Sequence, residues 1–511
     1  MAQESQSKLV DKNAVVDSGT VSFLSQLIEP DDTCLPGKKS TDAILILSII
    51  ILKSLLAIAA FLIGFRILMN DEVARWLMLN TWVRSPFLAP VDHVWLGGFF
   101  YLCGTVMKIA GTSFAVCKIF PLLFSFGAII AMYLLCQELC GTRFLSFWAT
   151  FVYAAGFVNT WLSLSLMPEI FTIFFQTWGF YFLLKGFDKH HHWEVLTGCL
   201  GIGLSTSFRY EQWCLSAALS LVLIGLLIKR WIKSWTFVFS LILLNFYIAF
   251  WILLAWLRHG DPLILLKNAK NLNVTASGNP ISFLWMNLKI DDGIVFAIGT
   301  FSMVFALFAR NRNLRVYAVM SFIFSLLFIY IQKVGTAASI WRIAQGWRAM
   351  LIPFLPFAIL LVRKLISSNT VHRYLAILLI LSLPLYTVYQ YRGMHELTRC
   401  GLSNSALALG EYLNFERKDS KLLPELKKAK PYIFLLMNKD DEKMPYFTVG
   451  YLSGLSAKRF PYDIKVPPRT DLLITRNRIM SEPYQLVINI GEWSIWRQTI
   501  AGEKGEEGKK P

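Results

Sequence analysis

Apolar runs long enough to cross a bilayer recur along this chain, and they dictate its fold class before any other feature does. Candidate spans cover residues 44–65, 114–137, 144–161, 169–185, 193–208, 211–228, 234–257, 291–309, 314–331, 348–365 and 374–391. A bilayer's hydrocarbon core is about 30 Å thick and takes about 20 helical residues to cross. Inside it every backbone N–H and C=O must be bonded within the protein, which leaves helices as the reading for segments of this length. Composition agrees: 55% of the 511 residues are hydrophobic, only 16% are charged, and the mean hydropathy is +0.51. The expected class is an α-helical polytopic membrane protein.

The loops set the topology. The net charge of +17 would point to nucleic acid in a water-soluble chain, but no basic stripe interleaved with aromatics is present and no nucleic-acid partner is expected. The cations instead gather in loops: Lys229, Arg230 and Lys233; Arg310, Arg312 and Arg315; Arg363, Lys364, His372 and Arg373. All three loops fall on one side if the spans alternate, and basic loops mark the cytoplasm. Residues 94–110 are also apolar. If they spanned, the basic loops and Lys38–Lys39 would lie on opposite sides. If they lie along the outer surface the assignments agree. Residues 66–112 therefore read as one outer loop carrying interfacial helices. The result is about eleven spans, N-terminus in and C-terminus out, with 1–43 a cytoplasmic segment and 44–391 the membrane domain. Residues 1–40 show no cleavable signal pattern, and the first apolar run stays as an anchor.

Past residue 392 the character changes. Strand-like "PYIFLLM", "TDLLIT" and "YQLVINI" alternate with helix-like "SNSALALGEYLNFE" and "YFTVGYLSG", which predicts a small extracytoplasmic α/β domain over 392–500. No Gly-rich phosphate loop accompanies it. The tail 501–511 is expected to be disordered. The eight cysteines make no disulfide framework, and Cys136 and Cys140, though at i, i+4, have no His partner for a metal.

With this topology the unusual polar residues collect on the outer face. Asp71 and Glu72 follow the first span, with Asp92 and His93 later in the same loop. Glu169 opens a span after Pro168. Arg209, Tyr210 and Glu211 fill a short turn between two spans. Lys333, Arg342 and Arg348 lie in or beside "QKVGTAASIWRIAQGWRAM". Carboxylates and cations on one face of an apolar body suit a phosphate-bearing lipid: cations hold phosphate, and a carboxylate takes a proton from an incoming hydroxyl or amine. Each group also has a plainer reading. Asp71–Glu72 fits a solvated helix start beside Arg75, and Glu169 fits a helix N-terminus. Arg209–Glu211 fits an interfacial ion pair, and Arg342 and Arg348 fit surface anchors. Asp92–His93 is a weak metal signal. Lys53, inside the first span, either snorkels or has a buried partner.

The order of these features resembles the GT-C glycosyltransferases, in particular the branch of the protein O-mannosyltransferases and lipid A aminoarabinose transferases. "NDEVARWLMLN" resembles that branch's acidic motif. "PVDHVWLGGFFYLCG…CQELCG" resembles its following block, and "LMPEIFTIFF" its second acidic motif. "HGDPL" and "WRAMLIPFLP" fit its later loop and span. The resemblance covers roughly residues 44–390. It implies a sugar donor linked to a polyprenyl phosphate and transfer outside the cytoplasm with inversion. Asp71 would be the general base, assisted by Glu72, and Glu169 the second acidic residue. A divalent metal would bind, if at all, at Asp71 and Glu169. Arg342 and Arg348 would meet the carrier phosphate, and Arg209, Tyr210 and Glu211 would line the site. The chain departs from the family where "APVDHVW" replaces a basic residue with prolines, so Asp92 and His93 are candidates for part of that role. Implied partners are the lipid-linked donor, membrane lipids, and a glycan, lipid or protein acceptor. The expected location is a prokaryotic inner or plasma membrane. A flippase for lipid-linked glycans is the alternative, and an inactive binding partner is a third reading. Transporters place polar groups near the midplane with repeats, and neither feature is visible here.

Overall fold

The structure, a computed structural model, describes residues 39–62, 65, 70–88, 95–140, 143–189, 191–262, 264, 293–309 and 311–335, together with five strands between 432 and 498; the strands and a few helical positions, including 70, 71 and 328–335, are described as backbone only. Asp92, His93, Arg342 and Arg348 lie outside the described residues. So do the last two candidate spans and the helix-like segments after residue 400.

Helix α1 (Lys39–Leu62) is followed by α2 (Asn70–Arg84), α3 (Gly97–Ala110), α4 (Phe114–Cys140), α5 (Arg143–Ala155), α6 (Phe157–Ser163), α7 (Pro168–Lys189), α8 (His192–Ser205), α9 (Glu211–Ile228), α10 (Ser234–His259), α11 (Gly293–Ala306) and α12 (Arg312–Gly335). Among the described residues five of these, α1, α4, α7, α9 and α10, are long and apolar enough to cross a membrane. Their number and apolar composition mark an integral membrane protein. Helix α3 has 14 residues, about 21 Å at 1.5 Å per residue, the same length as α8 and α11, which fall in expected spans.

One expected span is broken. Residues 144–161 form not one helix but α5 and α6, separated at Gly156, whose φ of −51° and ψ of 134° are extended. The buried Lys53 accounts for how this break is tolerated. Its Nζ donates to the Ala154 carbonyl at 3.1 Å and to Thr160 Oγ1 at 3.0 Å, one partner on each side of Gly156. A carbonyl freed in an apolar interior needs such a donor.

The α7–α8 crossing is close because it is made of glycine. A Cβ on Gly198 would sit 2.8 Å from the Gly179 carbonyl, and one on Gly201 would sit 3.1 Å from Gly179 Cα. Small residues let membrane helices approach to backbone contact.

The strands are β1 (Tyr432–Met437), β2 (Ser456–Pro461), β3 (Leu472–Arg476), β4 (Tyr484–Ile490) and β5 (Trp493–Gln498), in the sheet order β2-β1-β3-β5-β4. Three match the strand-like runs in the sequence; β2 and β5 were not anticipated. β1 pairs in parallel with both β2 and β3, while β5 pairs antiparallel with β3 and β4.

Chain contacts divide the protein into two units. One comprises Met1–Leu62, Phe87–Leu102 and Phe120–Arg392; the other comprises Ile63–Pro86, Cys103–Ile119 and Gly393–Pro511.

Candidate active site

The acidic pair belongs to the second of these units. Asn70, Asp71 and Glu72 open α2, where carboxylates favour the exposed N–H groups and the positive end of the helix dipole, and Arg84 sits in the complementary last turn. Glu72, Arg75, Trp76 and Leu79 recur at i, i+3, i+4 and i+7 and are all buried, so this side of α2 faces inward although half its members are charged. Trp76 Nε1 donates to the Thr112 carbonyl at 3.2 Å. Glu72, fully buried, meets Lys118 of α4 at 2.6 Å. The ammonium also stands 5.6 Å from the Phe65 ring centroid. Lys118 is therefore a residue of the candidate site that sequence reasoning missed. Its one sequence signal is a lysine in the otherwise apolar start of α4, and nothing there names its partner 46 positions earlier. Asp71, the neighbouring carboxylate, is the second residue of α2.

The second cluster belongs to the first unit. Pro168 opens α7, a position where its missing N–H costs nothing, and Glu169 follows, fully buried. The turn between α8 and α9 carries Arg209. Its Nε and Nη2 donate to Glu211 Oε2 and Oε1 at 3.1 and 2.7 Å, and its Nη1 donates to Glu169 Oε1 at 2.9 Å. The sequence candidates Glu169, Arg209 and Glu211 are thus brought together, with Tyr210 as the residue before α9 and in edge-to-face contact with Trp213. Polar contacts continue into the bundle. Gln212 Nε2 donates to Gln176 Oε1, and Ser205 Oγ donates to Gln212 Oε1, both at 3.3 Å. Gln176 Nε2 has no hydrogen-bond partner among the described residues. Phe208 stacks on Phe171 and Phe175 beside this string.

The start of α3 docks on the same turn. Gly98 N donates to the Ser207 carbonyl at 3.2 Å and to Tyr247 Oη at 3.3 Å. A Cβ at Gly98 would clash with the Ser207 side chain and would lie 2.7 Å from its carbonyl oxygen, so only glycine permits this approach. Tyr101, one turn along, donates its hydroxyl to the Leu88 carbonyl. Burial pushes that phenol above its ordinary range, with Arg258 opposing. Burial likewise pushes the Cys103 thiol well up, and Cys117 adds to the effect. Such a thiol is a poor nucleophile.

The two clusters differ in what they offer chemically. Glu72 is ion-paired with the Lys118 ammonium. Arg209 bridges the carboxylates of Glu169 and Glu211. Lys333 lies in the last turn of α12 as backbone only. Among the described residues no group of three or more His, Cys, Asp or Glu gathers to hold a metal. Glu169 fits that role poorly, because Arg209 occupies its oxygen and opposes a second cation there.

No family model and no curated protein sequence matches the chain. Solved structures do. ArnT from Cupriavidus metallidurans bound to undecaprenyl phosphate superposes with a TM-score of 0.57 at 12% identity, covering 91% of this chain and 99% of that one. ArnT from the same organism in the apo state gives 0.52 at 12% identity, over 87% and 97%. The Archaeoglobus fulgidus oligosaccharyltransferase in its apo form gives 0.48 at 12% identity, over 83% of this chain. This chain spans 65% of that archaeal protein's length. The likeness to ArnT is one of fold.

Proposed function

We propose that this protein is a membrane glycosyltransferase that takes a sugar from a polyprenyl-phosphate donor and passes it to an acceptor outside the cytoplasm. The observation that carries the reading is the acidic pair at the start of α2. On a chain with the GT-C fold, one member, Glu72, is buried and ion-paired with Lys118, which leaves the adjacent Asp71 as the carboxylate for proton transfer. The acceptor's O–H or N–H attacks the anomeric carbon as the sugar–phosphate C–O bond breaks. Polyprenyl phosphate departs with the bonding electrons, and the acceptor's proton passes to Asp71. Attack opposite the leaving group inverts the anomeric centre. Lys333, Arg342 and Arg348, with Asp92 and His93, are the candidates for positioning donor phosphate. The Glu169 and Glu211 carboxylates beside Arg209 suit hydroxyls or a cationic group of the acceptor.

We assign the protein to the aminoarabinose and O-mannosyl transferase branch, in a prokaryotic inner or plasma membrane. About eleven spans put the acidic pair, the Arg209 turn and the C-terminal α/β domain (392–500) on the outer face, with basic loops in the cytoplasm. The bond from Gly98 to Ser207 supports placing the first loop's apolar helix at the level of that turn. No step is drawn through a metal.

The test is to offer the purified protein a panel of polyprenyl-phosphate sugars with crude envelope acceptors and to measure free polyprenyl phosphate. Release with one donor supports the reading. Translocation of lipid-linked glycan in proteoliposomes without any release assigns the protein to the flippases instead.

A further inference from the structure

The turn from α9 to α10 is built around an unusual residue. Trp231 N donates to the Leu226 carbonyl at 2.9 Å and Arg230 N to the Leu227 carbonyl at 2.8 Å, the paired bonds of a Schellman helix end. That closure puts the residue after the cap in the left-handed region, where glycine is favoured because it has no Cβ. Here the residue is Arg230, with φ 57°. The other two left-handed residues among the described residues are Gly111 and Gly260. Both likewise end helices, donating to Met107 and Trp256. Twice the chain uses glycine for this job; once it keeps an arginine at the expense of backbone strain.

What surrounds Arg230 says what the cation is for. Lys229 and Lys233 are exposed in the same turn. The Trp231 ring carries Lys229 Nζ at 5.3 Å and the Arg312 guanidinium at 5.4 Å from its centroid, which ties the start of α12 to the turn. Arg315 is exposed one turn further along α12. None of the five cations is ion-paired among the described residues; the nearby Glu194 is taken by Lys185 and His191. Beside them the surface is apolar. Ile228 is 76% exposed, and Val238 and Phe239 are also exposed. Trp235 and Trp193 are exposed as well and stand edge to face. Tryptophans of this kind sit at the headgroup level of a bilayer, and basic clusters between membrane helices bind anionic headgroups.

We propose that the Lys229–Lys233 turn, closed by Arg312 and Arg315, is a binding site for the headgroup phosphate of an anionic membrane phospholipid. The cations hold the phosphate, the tryptophans sit at its level, and the acyl chains run along Ile228, Val238 and Phe239.

The test is thermal unfolding of the purified full-length protein in uncharged detergent, with added phosphatidylglycerol, phosphatidylcholine or inorganic phosphate. Phosphatidylglycerol raises the wild-type Tm by about 2 °C or more, as binding to the native state alone requires, and the other two do not. Arg230→Gly is expected to unfold at a higher temperature than wild type without lipid, since the strain is relieved, and to lose most of the lipid increment. Lys229→Gln/Lys233→Gln loses the increment without that basal gain. Equal increments in wild type and both variants overturn the proposal, as does an equal effect of phosphatidylcholine. Inorganic phosphate reproducing the full shift would assign the turn to a soluble anion, and a basal Tm of Arg230→Gly at or below wild type would remove the strain argument.

Discussion

Glu72 with Lys118, and Glu169 with Arg209 and Glu211, are two buried charge clusters built on opposite accounts. The first pairs a carboxylate with an ammonium at 2.6 Å, 0% and 5% exposed. The second sets a guanidinium between two carboxylates and keeps an opening to solvent at Arg209 and Glu211, which are 12% and 13% exposed. A closed pair fixes geometry, whereas a partly open one can be reached by what approaches it. On the proposed function, the first cluster would hold the helix that carries Asp71 and the second would meet the acceptor.

Four substitutions separate these roles. Lys118→Met should have the largest effect, because it strands Glu72 without its ammonium in a dry interior; breaking a buried pair costs about 3–5 kcal/mol. Adding Glu72→Gln should recover most of that loss, so thermal or denaturant unfolding of the two single variants and the double should be far from additive. Additive losses would show the two side chains to be independent. Arg209→Gln comes next, at about 2 kcal/mol, since its carboxylates lose their common partner but two of the three groups reach solvent. A loss equal to that of Lys118→Met would erase the contrast between a closed and an open cluster. Glu211→Gln should have the smallest effect on stability, under about 1 kcal/mol, because Arg209 keeps Glu169. It should nonetheless raise the KM for acceptor while leaving the KM for donor unchanged. A shift in donor KM alone would move this cluster to the donor side.

Hydropathy made the membrane class legible. Pro168 before Glu169 signalled the start of α7, and an ion pair within Arg209–Glu211 was readable from two residues of spacing. What stayed hidden were partners brought together by tertiary packing. Arg209 also reaches Glu169, 40 positions earlier, and Lys118 reaches Glu72 from the next span. Lys53 carried a signal without an address: a cation in an apolar span needs a partner, but only the break at Gly156 supplies the carbonyl and hydroxyl it binds. That break was itself invisible, because a single glycine in an apolar run of this length reads as helix. Strands β2 and β5 were missed because "SAKRFP" and "WSIWRQ" lack the apolar runs that announced their neighbours. Pairing in the sheet decided them.

The most direct test of the account compares wild type with Asp71→Asn for release of free polyprenyl phosphate from the donor that wild type accepts, alongside the Tm of both proteins. Removal of a general base predicts a loss of about 100-fold or more in turnover, with an unchanged Tm. Equal turnover by Asp71→Asn would contradict the assignment of the base, and with it the division of labour between Asp71 and the buried Glu72.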